Sequence, residues 1–173
     1  MNSETEQDVP DAVRPPMDRD ITFRHVSYQY DNGAAKVLDD VSFTVPAGTT
    51  VGILGGTGSG KSTLMYLLDR LYPLAPENGS IEIGGVNIAD ISSDWLRQNI
   101  GMVLQEPFLF SRTLEENIAI ASPDGTKEED AGGHPHLAEV RRAAGIASLD
   151  ETVEHFAKGY DTFVGERGVT LSG

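Results

Sequence analysis

The sequence predicts an α/β fold organised around a glycine-rich loop between a strand and a helix. Three observations carry that expectation. Thr49 to Leu54 is a short β-branched and apolar run, Gly55 to Gly60 is a loop with four glycines, and the residues from Lys61 read as helix. Gly55 to Ser62 also fits G-x-x-x-x-G-K-[ST] within that strand, loop and helix context. The flanking chain is mixed, with strand-like texture before the loop and mostly helical texture towards the C-terminus.

The elements follow in chain order. Met1 to Asp20 is polar, holds Pro10, Pro15 and Pro16, and sets six acids against two arginines, so residues 1–20 read as a linker or tail. From Ile21, "ITFRHVSYQY" alternates apolar and polar residues and is rich in β-branched and aromatic types, as a strand is. "DNGAA" supplies a turn, and "VLDDVSFTVPAG" a second, antiparallel strand that stops before Pro46 and Gly48. The first helix is expected from Lys61 to about Tyr72, with Pro73 and Pro76 breaking the chain after it. "NGSIEIGGVNI" reads as a short strand between turns, and "SSDWLRQN" as a short helix with a serine cap. "IGMVLQ" is an uninterrupted apolar run, expected as a strand buried on both faces. Thr113 and Glu116 form a T-x-x-E capping box opening a helix through Ile120. A polar, glycine-containing loop, "SPDGTKEEDAGGHPH", precedes helices over about Leu137–Ala144 and Leu149–Phe156.

The bulk numbers bound the partners. With 173 residues the chain can bury one sizeable core or two small subdomains. Thirteen Lys and Arg against 27 Asp and Glu give a formal charge of −14, which opposes non-specific binding to nucleic acid or anionic lipid. Phosphate must therefore be held locally. No cysteine is present, which excludes disulfides, thiolate metal sites and a thiol nucleophile. The N-terminus "MNSETEQD" has neither the basic nor the apolar region of a secretory signal.

A loop wrapped round a phosphate must turn several N–H groups inward and approach the oxygens closely, and glycine does this without a Cβ clash. In Gly55, Gly56, Thr57, Gly58, Ser59 and Gly60 the sequence supplies such a loop. The following helix aims its dipole and its unpaired first-turn N–H groups at the same point. Lys61 can then reach the β- and γ-phosphates, the Ser62 hydroxyl can ligate Mg²⁺, and Thr63 can add a hydrogen bond to the α-phosphate. The ligand these residues call for is a nucleoside triphosphate. His134 and His136 flank Pro135 in a glycine-rich loop without a third ligand, so a solvated loop is the better reading there, and His155 reads as a surface residue.

Five motifs in order, "VSYQY", "GGTGSGKST", "VLQEPFLFSRTLEENI", "YDTFVGERG" and the terminal "LSG", resemble the nucleotide-binding domain of an export-type ATP-binding-cassette (ABC) transporter. The resemblance runs from about Ile21 to Gly173. It implies a P-loop NTPase fold, an ABC-type ATPase core with an N-terminal antiparallel β subdomain and the phosphate loop over residues 21–105, and a helical subdomain over 106–173. It implies ATP and Mg²⁺ as cofactors, with Lys61 and Gln105 as catalytic residues and Ser62 and Gln105 at the metal. Tyr30 matches the ring that stacks on adenine, although Tyr28, two residues earlier on the same strand face, leaves a core tyrosine as the alternative. Glu166, supported by Arg167, is the implied contact with the transmembrane domain. Ser172 and Gly173 begin the signature that meets the γ-phosphate of a second, head-to-tail domain.

The resemblance breaks off before the Walker B strand, the catalytic glutamate and the switch histidine, and no stretch of this sequence supplies them. The expectation is a piece of an exporter, lacking the C-terminal part of the core, that binds ATP at the cytoplasmic side of the cell membrane without turning it over. The strands of its parallel sheet would stand open. A soluble ABC-family ATPase acting on ribosomes or DNA is the alternative, opposed by "VGERG" and by the acidic balance. Nucleic acid is not expected as a partner.

Overall fold

A computed structural model describes residues 8–31, 35–105, 108–121 and 137–165. The chain divides into two compact units, residues 1–102 and 103–173.

The first unit is built on a four-stranded antiparallel sheet in the order β2-β1-β3-β4. Its strands are β1 (Ile21–Tyr28), β2 (Leu38–Val45), β3 (Ser80–Ile83) and β4 (Val86–Asn87). The alternation of β1 breaks once, because Phe23 and Val26, three apart, are both buried. The register explains it. Between the Phe23–Phe43 and Val26–Val41 pairs β1 carries one extra residue, and β2 carries the compensating one before Leu38 meets Tyr28. His25 (φ 52) and Asp40 (φ 54) take the left-handed conformation at these bulges. Their N–H groups are satisfied by Ser42 Oγ at 2.8 Å and Ser27 Oγ at 3.0 Å, and their side chains meet at 2.7 Å. The segment read as one strand, "NGSIEIGGVNI", is a hairpin of β3 and β4 whose turn, Gly84 and Gly85, has positive φ at both positions.

Two helices cover this sheet's apolar residues. Leu64 and Leu67 of α1 (Lys61–Leu68) and Leu96 of α2 (Ser93–Asn99) join Phe23, Val26, Ile81 and Ile83 in one core. Helix α1 ends four residues before Tyr72. Arg70 takes φ 53, its N–H reaches Leu67 O at 3.1 Å, and Leu71 N–H reaches Tyr66 O at 2.8 Å, a Schellman C-cap with arginine where glycine is usual. The side chain compensates: Arg70 Nη1 donates to Ile91 O at 2.6 Å and Ile88 O at 3.2 Å and pairs with Asp8 at 3.5 Å. Helix α2 has the expected cap, Ser92 Oγ accepting from Trp95 N–H.

Residues 8–20, polar as they are, run along this unit. Asp8 accepts the Ser93 N–H through both carboxylate oxygens at 2.9 and 3.0 Å, Val13 forms a parallel bridge with Ile91, and Trp95 Nε1 donates to Pro15 O at 2.9 Å. Two expected strands are absent. Residues 49–54 and 100–104 have no strand pairing, Leu54 is 98% exposed and Val103 is 99% exposed, which corrects the reading of "IGMVLQ" as buried on both faces. Apolar composition makes a strand only where neighbours bond its edges, and β1 to β4 pair among themselves.

In the second unit the short strands β5 (Arg112–Thr113) and β6 (Phe163–Val164) pair antiparallel. Thr113 caps α3 (Leu114–Ile118) with the full capping box, and a 3₁₀ turn carries the helix on over Ala119–Ala121. Asn117 pins the chain before it, accepting from Phe110 N at 2.8 Å and donating to Thr113 O at 2.9 Å. Helices α4 (Leu137–Ile146) and α5 (Asp150–Glu154) bury Val140, Ala144 and Val153. The loop with His134 and His136 lies outside the described residues.

Candidate functional site

The phosphate loop leads into α1, and Gly60 is the N-cap with φ 85 and ψ 5. No side chain caps the helix and no acidic residue lies in its first turn. Its N–H groups and dipole are thus left to an external acceptor. Lys61 folds back over the loop, Nζ donating to Gly56 O at 2.7 Å, Gly55 O at 2.8 Å and Ser59 Oγ at 3.2 Å. Glycine is required at Gly60 for two reasons. Its φ is left-handed, and a Cβ there would come within 2.7 Å of Leu38 Cδ2 and 2.9 Å of Val37 O. The loop is therefore seated directly against the start of β2.

Two hydroxyls follow Lys61 with opposite surroundings. Ser62 is exposed, whereas Thr63 is buried and its Oγ1 lies 2.9 Å from the Tyr30 hydroxyl. Tyr30 is half-buried in a group of rings, edge-on to Tyr28 (5.1 Å, 89°) and to Tyr72 (5.4 Å, 87°), and Tyr72 also meets Tyr66. Burial, then the neighbouring Tyr30, Tyr72 and Asp31, pushes the Tyr28 phenol up. Tyr66 and Tyr72 were missed from sequence as neighbours of the site. The signal was there in a tyrosine at the end of α1 and another just after it.

An uncapped helix N-terminus, a lysine over the loop and a backbone too tight for a Cβ fit a phosphate chain. Ser62, exposed at the second helical position, fits one oxygen ligand of Mg²⁺. Gln105 is exposed in a bend of the second unit. Glu166, Arg167, Ser172 and Gly173 lie outside the described residues. Among the described residues no group of three or more His, Cys, Asp or Glu could hold a metal ion. A cavity of about 440 Å³ lies in the second unit, lined by Arg141, Glu154, Lys158 and Tyr160 among others, and contains none of the predicted site residues.

This fold and loop define a P-loop nucleotide-binding protein. The sequence profile described as "ABC transporter" matches residues 38–173, most of the chain, and the chain belongs to the ABC transporter family. It is 42% identical over 167 residues to the putative multidrug export ATP-binding/permease protein YgaD of Bacillus subtilis (strain 168), covering 96% of this chain and 27% of that protein. It is 38% identical over 173 residues to the toxin RTX-I translocation ATP-binding protein of Actinobacillus pleuropneumoniae, covering 100% of this chain and 23% of the relative. Among solved structures, a bacterial Atm1-family ABC exporter with ATP bound superposes with a TM-score of 0.81 at 38% identity, over 99% of this chain and 28% of that one. The chain thus spans about a quarter of the length of these relatives. No helix among the described residues is long and apolar enough to cross a membrane.

Proposed function

We propose that this chain is the ATP-binding part of a membrane exporter, in which nucleotide binding and hydrolysis drive transport at the cytoplasmic face of the cell membrane. The observation that carries the reading is the Lys61 clasp on Gly55 and Gly56 at the uncapped start of α1. It holds a fixed positive charge beside free N–H donors, the arrangement that neutralises phosphoryl oxygens. The exporter names of the relatives support the same reading.

In this reading Lys61 binds the β- and γ-phosphates, Thr63 the α-phosphate, and Tyr30 lies at the base. Ser62 and Gln105 would hold Mg²⁺, which when bound offsets the charge of the phosphates. Glu166 meets the transmembrane domain, and Ser172 and Gly173 meet the nucleotide of a second domain placed head to tail. Gln105 cannot take up a proton, so in this reading it orients rather than acts as the base. Phosphate release separates these roles. The full exporter in proteoliposomes is expected to release phosphate and to lose that activity with Lys61→Ala. Unchanged release in Lys61→Ala, or recovery of the full protein on ribosomes rather than with membrane domains, contradicts the proposal.

A further inference from the structure

The nucleotide-binding reading gives Tyr30 a ring to lay against a base, and stacking needs no hydroxyl. Its hydroxyl is nevertheless engaged, 2.9 Å from Thr63 Oγ1. Thr63 is 4% exposed and stands in the first turn of α1, one residue beyond Ser62 and two beyond Lys61. A hydroxyl has one proton to donate and lone pairs to accept with. If Thr63 donates to Tyr30, it has none left for a phosphoryl oxygen. If Tyr30 donates, the Thr63 proton is free to point at the loop. A phosphoryl oxygen only accepts, so an anion beside Thr63 selects the second arrangement, a chain in which each hydrogen bond polarises the next. The Tyr30 ring is held for this by its edge contacts with Tyr28 and Tyr72.

We propose that the Tyr30 hydroxyl is a positioning group for the phosphate end of the site, donating to Thr63 Oγ1 so that the Thr63 hydroxyl donates to the phosphate chain. This inference rests on the nucleotide-binding reading. It gives Tyr30 a role that does not pass through the base.

The test uses inorganic tripolyphosphate with Mg²⁺, which has three phosphates and no base, beside MgATP. Tyr30→Phe keeps the ring and removes the donor. Calorimetry is expected to show both ligands weakened by the same factor, roughly threefold to tenfold, the range for one lost hydrogen bond. In a Thr63→Val background Tyr30→Phe should cost nothing more, whereas in Thr63→Ser the full loss should persist. Thermal unfolding of Tyr30→Phe is measured alongside, and a midpoint that falls together with affinity in every background overturns the proposal in favour of a structural role. Unchanged tripolyphosphate affinity in Tyr30→Phe, with the wild type binding normally, overturns this inference alone. A wild type that binds neither ligand overturns it together with the nucleotide-binding reading.

Discussion

The Lys61 ammonium lies 2.7 Å from the Gly56 carbonyl oxygen and 2.8 Å from that of Gly55, so the residue that carries the site's charge also closes the loop. A methionine at this position keeps most of the side-chain length and removes all three donors. Lys61→Met is expected to speed amide exchange across residues 55–60 while exchange in β1 and β3 is unaltered. Equal acceleration in the sheet would mean that Lys61 supports the whole first unit.

Gly60 and Gly58 share a left-handed backbone and differ in their surroundings. At Gly58 (φ 78) an added Cβ meets nothing within 4 Å, whereas at Gly60 it meets Leu38 and Val37. Gly58→Ala should cost about 1 kcal/mol from backbone strain alone. Gly60→Ala adds overlap with β2 and should cost about 2–4 kcal/mol. Urea unfolding of the two variants checks the order, and equal losses would show that the contact with β2 yields freely.

Two carboxylates give the fold an acid sensitivity. The Ser93 backbone N–H holds the Asp8 carboxyl below its usual value, and the Thr113 backbone N–H does the same for Glu116. A lowered native value means that the unfolded chain takes up the proton first. The stabilisation is therefore complete above the ordinary carboxylate range and is lost as pH falls through the lowered values. Thermal midpoints of wild type and Asp8→Asn should differ at pH 7 and converge towards pH 3. A gap that persists in acid would show that Asp8 acts through packing rather than charge.

Leu54 and Val103 are almost wholly exposed, and so contribute little to the folded state of this chain. Leu54→Lys and Val103→Lys should each change stability by less than about 0.5 kcal/mol, as surface substitutions do. They should also reduce self-association in light scattering, because exposed apolar stretches without strand partners promote pairing between molecules. A large stability loss would mean that these segments are packed in solution.

Local signals wrote much of this structure into the sequence. The boundaries of β2, set by Pro46, and the Thr113 and Glu116 box are local chemistry, and the phosphate loop is a run of consecutive residues. What the sequence hid depends on distant partners. Asp8 looks like one acid in a solvated tail, and only the fold brings it to the start of α2, 85 positions away. Arg70 ends α1 in a conformation that no composition rule predicts, because the carbonyls that hold it belong to Ile88 and Ile91. The runs at 49–54 and 100–104 show the converse, strand-like composition that finds no partner among β1 to β4. At the site, the family resemblance pointed to Tyr30 and the loop motif to Thr63, each separately, and the bond between them is a property of the fold.

The central claim is that this chain binds a nucleoside triphosphate through the loop that Lys61 closes. Isothermal calorimetry with MgATP on the wild type and on Lys61→Ala tests it most directly, with circular dichroism confirming that both are folded. The account predicts saturable binding by the wild type and affinity at least about tenfold weaker, some 1.4 kcal/mol, in the variant. Equal affinity in the two proteins, or no binding by a folded wild type, would contradict it.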